Sequence, residues 1–221
     1  MSRYRDSFFY RNSLSIVFLS LFVVTWIAQA WTGWREHNDD LATAGAQQLL
    51  FSDYLSSGHF ISATFENFQS EFLQMALYVV LTISLRQRGS AESKQLEGEE
   101  AVDRTPQPSP NAPWAVRKGG WVLKLYSNSL SIAFITLFFV SWGLHLYGSW
   151  LDYNLEQALD KKPAVDILAY LSEPIFWFET FQNWQSEFLS VASIVILTIY
   201  LRQKGSPESK PVDAPHSETG K

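Results

Sequence analysis

Four long polar side chains sit inside otherwise apolar stretches of this sequence, and they are the groups with chemistry to offer. Glu71 and Glu187 occupy two matching blocks, Gln69-Ser70-Glu71-Phe72-Leu73 and Gln185-Ser186-Glu187-Phe188-Leu189. Each has an asparagine four residues earlier, Asn67 or Asn183, on the same face by i, i+4 spacing. Gln29 and His145 stand in two further apolar stretches. In a medium of low dielectric, a carboxylate beside a like charge resists ionisation. Glu71 and Glu187 would then bind a cation or exchange a proton, with His145 sharing the proton or supplying a counter-charge. A plainer reading competes: the same groups hydrogen-bond across helices, snorkel toward headgroups or cap a helix start, and so hold a bundle together.

Other chemistry is thinly represented. His37, His59 and His216 have no companion at ligand spacing and read as surface residues. No P-loop, HExxH, GxGxxG or GxSxG motif occurs. The chain has no Cys, which removes disulfides, thiolate nucleophiles and Cys-bound metals. With no nucleophile–base set, the expectation is a protein without enzymatic activity, cofactor or metal. A net charge of −5 gives no reason to expect a nucleic-acid partner.

The elements that must position these residues are four apolar blocks joined by very polar segments. Hydrophobic residues make up 47% of the chain, an ordinary average that hides this segregation, and nine Trp are present. From Leu14 to Trp34 no residue is charged. A helix of that length covers about 30 Å, the hydrocarbon thickness of a bilayer. Basic residues followed by an apolar run and Ala28-Gln29-Ala30 also suit a cleaved secretory signal. The run is long for a signal, and it recurs in mid-chain at Ser129 to Trp150, where it is no leader. The block after Phe72 is too short to span by itself, so the second helix must begin near Glu66. Helices are expected over about 14–34, 66–86, 130–150 and 182–202. Counting from their centres puts Gln29, Glu71, His145 and Glu187 at one depth.

An offset of 116 maps one half of the chain onto the other without a gap. Asn12-Ser13-Leu14-Ser15-Ile16 recurs as Asn128-Ser129-Leu130-Ser131-Ile132, and Trp26, Trp34 and Asn38 recur as Trp142, Trp150 and Asn154. About 38 of the 83 positions from Asn12 to Lys94 are identical, too many for chance. Two hairpins in tandem predict an all-α, four-helix transmembrane protein. Its first repeat covers 1–88 and its second 114–204. The acidic, Pro-rich linker 89–113 and the polar tail 205–221 are expected to be disordered.

Of 17 Lys and Arg, only Arg35, Lys161 and Lys162 fall in the two hairpin loops. The positive-inside rule then puts both termini and the linker in the cytoplasm, and both hairpins point the same way. Trp34 and Trp150 read as outer interface anchors, Arg86 and Arg202 as inner ones.

The paired Asn-Ser-Leu-Ser-Ile and Gln-Ser-Glu-Phe-Leu blocks, with Leu-Arg-Gln-(Arg/Lys)-Gly-Ser closing each hairpin, resemble a family of uncharacterised bacterial integral membrane proteins, a domain of unknown function. The resemblance covers nearly the whole chain and implies a bacterial inner membrane. It brings no catalytic residue and no substrate. Two functions remain open: a membrane component acting through helix packing or partner contacts, and a small proton- or cation-handling transporter or channel subunit centred on Glu71 and Glu187. The bilayer is the expected surrounding. Four helices are few for a closed pathway, so transport would need a homodimer or another membrane protein.

Overall fold

In the computed structural model, residues 7–220 are described. Arg3 and Arg5 of the basic N-terminal segment lie outside the described residues, as does Lys221 of the tail. Nine α-helices and no strand occur among the described residues: α1 (Phe8–Arg11), α2 (Ser13–Thr43), α3 (Phe51–Tyr54), α4 (Gly58–Ser84), α5 (Trp114–Lys118), α6 (Gly120–Ser127), α7 (Ser129–Leu159), α8 (Ile167–Tyr170) and α9 (Pro174–Tyr200). Adding 116 to the bounds of α2, α3 and α4 gives those of α7, α8 and α9.

The long helices run past their predicted ends. α2 and α7 continue to Thr43 and Leu159, beyond 34 and 150; α4 and α9 begin at Gly58 and Pro174, ahead of 66 and 182. The expected ends followed hydropathy, which falls where an apolar stretch meets water. Backbone hydrogen bonding does not stop there. Two helices, α2 and α7, are long and apolar enough to cross a bilayer. Only 6% and 11% of their most apolar stretches are buried. α4 and α9 have the length, but glutamates and amides interrupt their first halves.

The chain forms two compact units: residues up to Thr64 with Leu146–Leu171, and Phe65–His145 with Ser172 onward. In the first unit, Ala30, Tyr54 and Phe60 form a core, flanked by Trp34, Leu49 and Phe51. One arrangement fastens both loops. Asn38 donates to the Leu49 carbonyl at 3.0 Å and accepts from the Leu49 amide at 2.7 Å, while the Trp34 indole donates to the same carbonyl at 2.8 Å. Asn154 and Trp150 hold Val165 in the same way. The primary amide mimics a strand neighbour, satisfying both backbone groups of one loop residue. The start of α4 crosses α7 at two glycines. A methyl added at Gly58 would stand 2.5 Å from the Asp152 amide nitrogen, and one at Gly148 would stand 2.4 Å from that of Ser62. His37 and His59, expected as separate surface residues, stack in this unit with ring centroids 4.7 Å apart.

In the second unit, α4 and α9 meet where Gln74 donates to Ser190 at 2.9 Å. Linker and tail carry hydrogen bonds and ion pairs of their own. Lys94 pairs with Asp103, and Glu100 and Asp103 form a reciprocal capping box around the turn 101–103. Lys210, 2% exposed, donates to the carbonyls of Pro215, His216 and Glu218 at 3.2, 3.2 and 2.7 Å. Arg202 holds the Pro211 and Ala214 carbonyls, and Thr219 Oγ1 accepts from the Gly89 amide. These segments have little apolar area to bury, and cationic side chains gather their backbone carbonyls.

Candidate functional site

Three helices of the second unit bring polar side chains together: α4 with Glu66 and Gln69, α7 with Trp142 and His145, and α9 with Glu179, Thr180, Asn183 and Trp184. Asn183 Nδ2 donates to Glu66 Oε1 and, at 3.0 Å, to the Glu179 carbonyl. Trp184 Nε1 donates to Gln69 Oε1 at 3.0 Å. His145 is fully buried, with Nε2 3.8 Å from Glu179 Oε2 and its ring stacked on Phe176 at 5.2 Å. Gln69 and Thr180 are also fully buried. Gln69 Nε2, Thr180 Oγ1 and Trp142 Nε1 have no hydrogen-bond partner among the described residues.

Phe176 and Trp142 build the apolar wall. The Trp142 ring stands 5.8 Å from Phe176 and 6.4 Å from Trp177. These aromatics keep water from His145 and strengthen every charge–charge and charge–dipole interaction around it. The arrangement has two chemical capacities. Two carboxylates and an imidazole can pass a proton, and the amide, indole and carboxylate bonds can lock three helices in one register.

The six residues expected at this site divide. His145 and Asn183 are in the network. Asn67 and Glu71 are exposed and Glu187 half-buried; the charges of Glu71 and Glu187 act on one another. Neither carboxylate makes a side-chain hydrogen bond among the described residues. Gln29, half-buried, belongs to the other unit. Counting along a helix gives depth but not direction. Glu71 lies five residues from Glu66, a rotation of about 140°, so both cannot face one neighbour.

Glu66 and Glu179 were missed because neither residue is repeated in the other half, where Gln182 and Ala63 stand in their places. A signal was present in the comparison of halves: His145 replaces Gln29, and Glu179 replaces Ala63, a paired change at two positions that touch. The anchors act locally. Arg86 and Arg202 fold their guanidinium groups onto the last carbonyls of α4 and α9, at 3.0–3.2 Å from Ile83 and Leu85 and 2.8–3.2 Å from Thr198, Ile199 and Leu201. A cation there satisfies orphan acceptors and opposes the negative end of the helix dipole.

An all-helical chain with two bilayer-length apolar helices and a buried polar network defines the class broadly. Within it, residues 5–221 match the family described as Domain of unknown function (DUF6766), and the chain belongs to that family. Neither a curated protein nor a solved structure shows significant similarity to it.

Proposed function

We propose that this chain is an integral membrane protein of a bacterial inner membrane that crosses the bilayer four times as two parallel hairpins. Both termini and the linker are cytoplasmic. It acts without catalysis, through helix packing and contacts with a membrane partner or a second copy. The observation that carries this reading is the exposure of α2: only 6% of its most apolar stretch is buried. Leu14, Phe18 and Val24 are each more than 60% exposed. A core helix of a water-soluble protein buries such residues, and a patch this large left in water would aggregate. Lipid or a partner helix supplies the missing cover. In that setting the bonds joining Glu66 to Asn183 and Gln69 to Trp184 tie α4 to α9. The expected result is that the protein sediments with membranes after carbonate washing and enters solution only with detergent. Release by carbonate alone would contradict it.

A second reading rests on His145, fully buried 3.8 Å from a carboxylate. A protein that only packs does not need an ionisable pair there. On this reading Glu179 and His145 exchange a proton or hold a cation, with Glu66 as the next carboxylate and Glu71 and Glu187 as the more exposed pair. Glu66→Gln with Glu179→Gln separates the two. Transport predicts loss of a pH- or cation-driven flux in proteoliposomes with stability kept. Packing predicts no flux in either protein and a lower melting temperature for the variant.

A further inference from the structure

The first unit holds a second group of titratable side chains, which the reading above does not use. His37 of α2 is 7% exposed, and its Nε2 has no hydrogen-bond partner among the described residues. Its ring stacks on His59 at 4.7 Å. His59 Nδ1 is 3.0 Å from the Tyr54 hydroxyl, and its Nε2 is 3.6 Å from Glu36 Oε2. α7 adds Asp152, whose charge acts on His37. The groups that face His37 are therefore His59 from α4, Tyr54 from α3, Glu36 and Asp40 from α2, and Asp152 from α7. Behind Asp152 stands Glu156.

The duplicated half supplies a built-in control. Tyr170 matches Tyr54 and is likewise buried, but its hydroxyl bonds the Ser149 hydroxyl. Gly33 occupies the position matching Ser149, and a methyl added there would stand 2.4 Å from the Tyr54 oxygen. Tyr153 and Ile175 occupy the positions of His37 and His59. The second half thus closes the same corner with a neutral hydroxyl pair. The first half uses two imidazoles and a phenol, so anchoring the tyrosine does not by itself require histidines.

We propose that His37, His59, Tyr54 and Asp152 form a proton-binding site, at which the buried His37 imidazole takes up a proton from the medium. The stacked ring and the Tyr54 hydroxyl hold the imidazoles in fixed orientation, and Asp152 supplies the negative charge that a protonated His37 needs. Burial, and then His59, holds His37 below the usual imidazole range, while Asp152, Glu36 and Asp40 oppose that shift. Burial pushes Asp152 up to about 6, against the pull of His37. His37 therefore takes up its proton below the usual imidazole range, aided by the charge of Asp152.

Histidine-selective ¹³C labelling in detergent tests this by following the ring signals from pH 8 to pH 4. The expected result is that the His37 signals move with pH, and that Asp152→Asn moves their midpoint to lower pH. The triple variant Gly33→Ser, His37→Tyr, His59→Ile installs the residues of the second half. Compared on the Asp152→Asn background, it should keep the helical circular dichroism of Asp152→Asn alone and lose the remaining pH dependence of melting temperature between pH 5 and 7.5. His37 signals that stay fixed from pH 8 to pH 4, an unmoved His37 midpoint in Asp152→Asn, or an unchanged pH profile in a folded triple variant would each overturn the proposal.

Discussion

Asn38 and Asn154 show how much one side chain settles in this protein. Each satisfies both backbone groups of a loop residue, and each sits four residues after a tryptophan that shares the same carbonyl. Replacing either with Ala leaves a half-buried amide and carbonyl with fewer partners. The expected cost is about 1–3 kcal/mol of stability, read from denaturant unfolding in detergent. Asn→Asp keeps an acceptor for the loop amide but removes the donor to the carbonyl, so it should fall between the parent and Ala.

Asp152 gives a pH-dependent prediction at the same scale. Its pKa, 3.8 unfolded, is raised to about 6 by burial. Its contribution is therefore fully present below the unfolded value and lost as pH rises through about 6. Asp152→Asn should stabilise the protein at pH 8, by about 1–2 kcal/mol after allowance for solvent screening, and should bring little change at pH 4. Melting temperatures of parent and variant at the two pH values check the sign. A larger gain at pH 4 than at pH 8 would contradict it.

At the scale of elements, close approach and clasping govern. Gly58 and Gly148 let α4 and α7 touch backbone to backbone within the first unit. Gly148→Ala would force the helices apart against the Ser62 amide, at an expected cost of about 1–3 kcal/mol, with Gly143→Ala, where nothing lies within 4 Å, as the neutral comparison. In the tail, Lys210→Ala should free the carbonyls of 215–218 and speed proteolysis after 204 several-fold without changing helix content. Limited proteolysis followed by mass spectrometry reads this directly.

These elements also mark what was legible in the sequence. The offset of 116 and the uncharged run from Leu14 predicted where the long helices lie, because hydrophobic period and duplication are local properties of sequence. The extension to Thr43 and Leu159 was not legible. It depends on loop contacts such as Asn38 with Leu49 that no single segment contains. The polar site was legible in part for the same reason. His145 is conspicuous in an apolar run, whereas Glu66 and Glu179 look like ordinary helix-start carboxylates until rotation about the axis brings them to Asn183 and His145.

For the whole molecule, segregation of polarity decides the account. Apolar side chains cover the most apolar stretches of α2 and α7 and remain largely open. Positive charge gathers in the termini and linker, and the two hairpin loops carry only three basic residues. The proposed topology, with lipid around the helices and cytoplasm at the basic side, would account for both patterns together. A water-soluble bundle would have to hide the open face of α2 in an assembly and would leave the charge asymmetry without a cause.

The most direct test uses the absence of native cysteine. Single cysteines at Ala44, Ala164 and Gln107, all exposed, place one probe in each hairpin loop and one in the linker. With a membrane-impermeant maleimide on intact cells, Ala44→Cys and Ala164→Cys are predicted to label, and Gln107→Cys to label only after the cells are opened. Labelling of Gln107→Cys in intact cells, or protection of either loop site until lysis, would contradict a chain that crosses the bilayer four times with its linker inside.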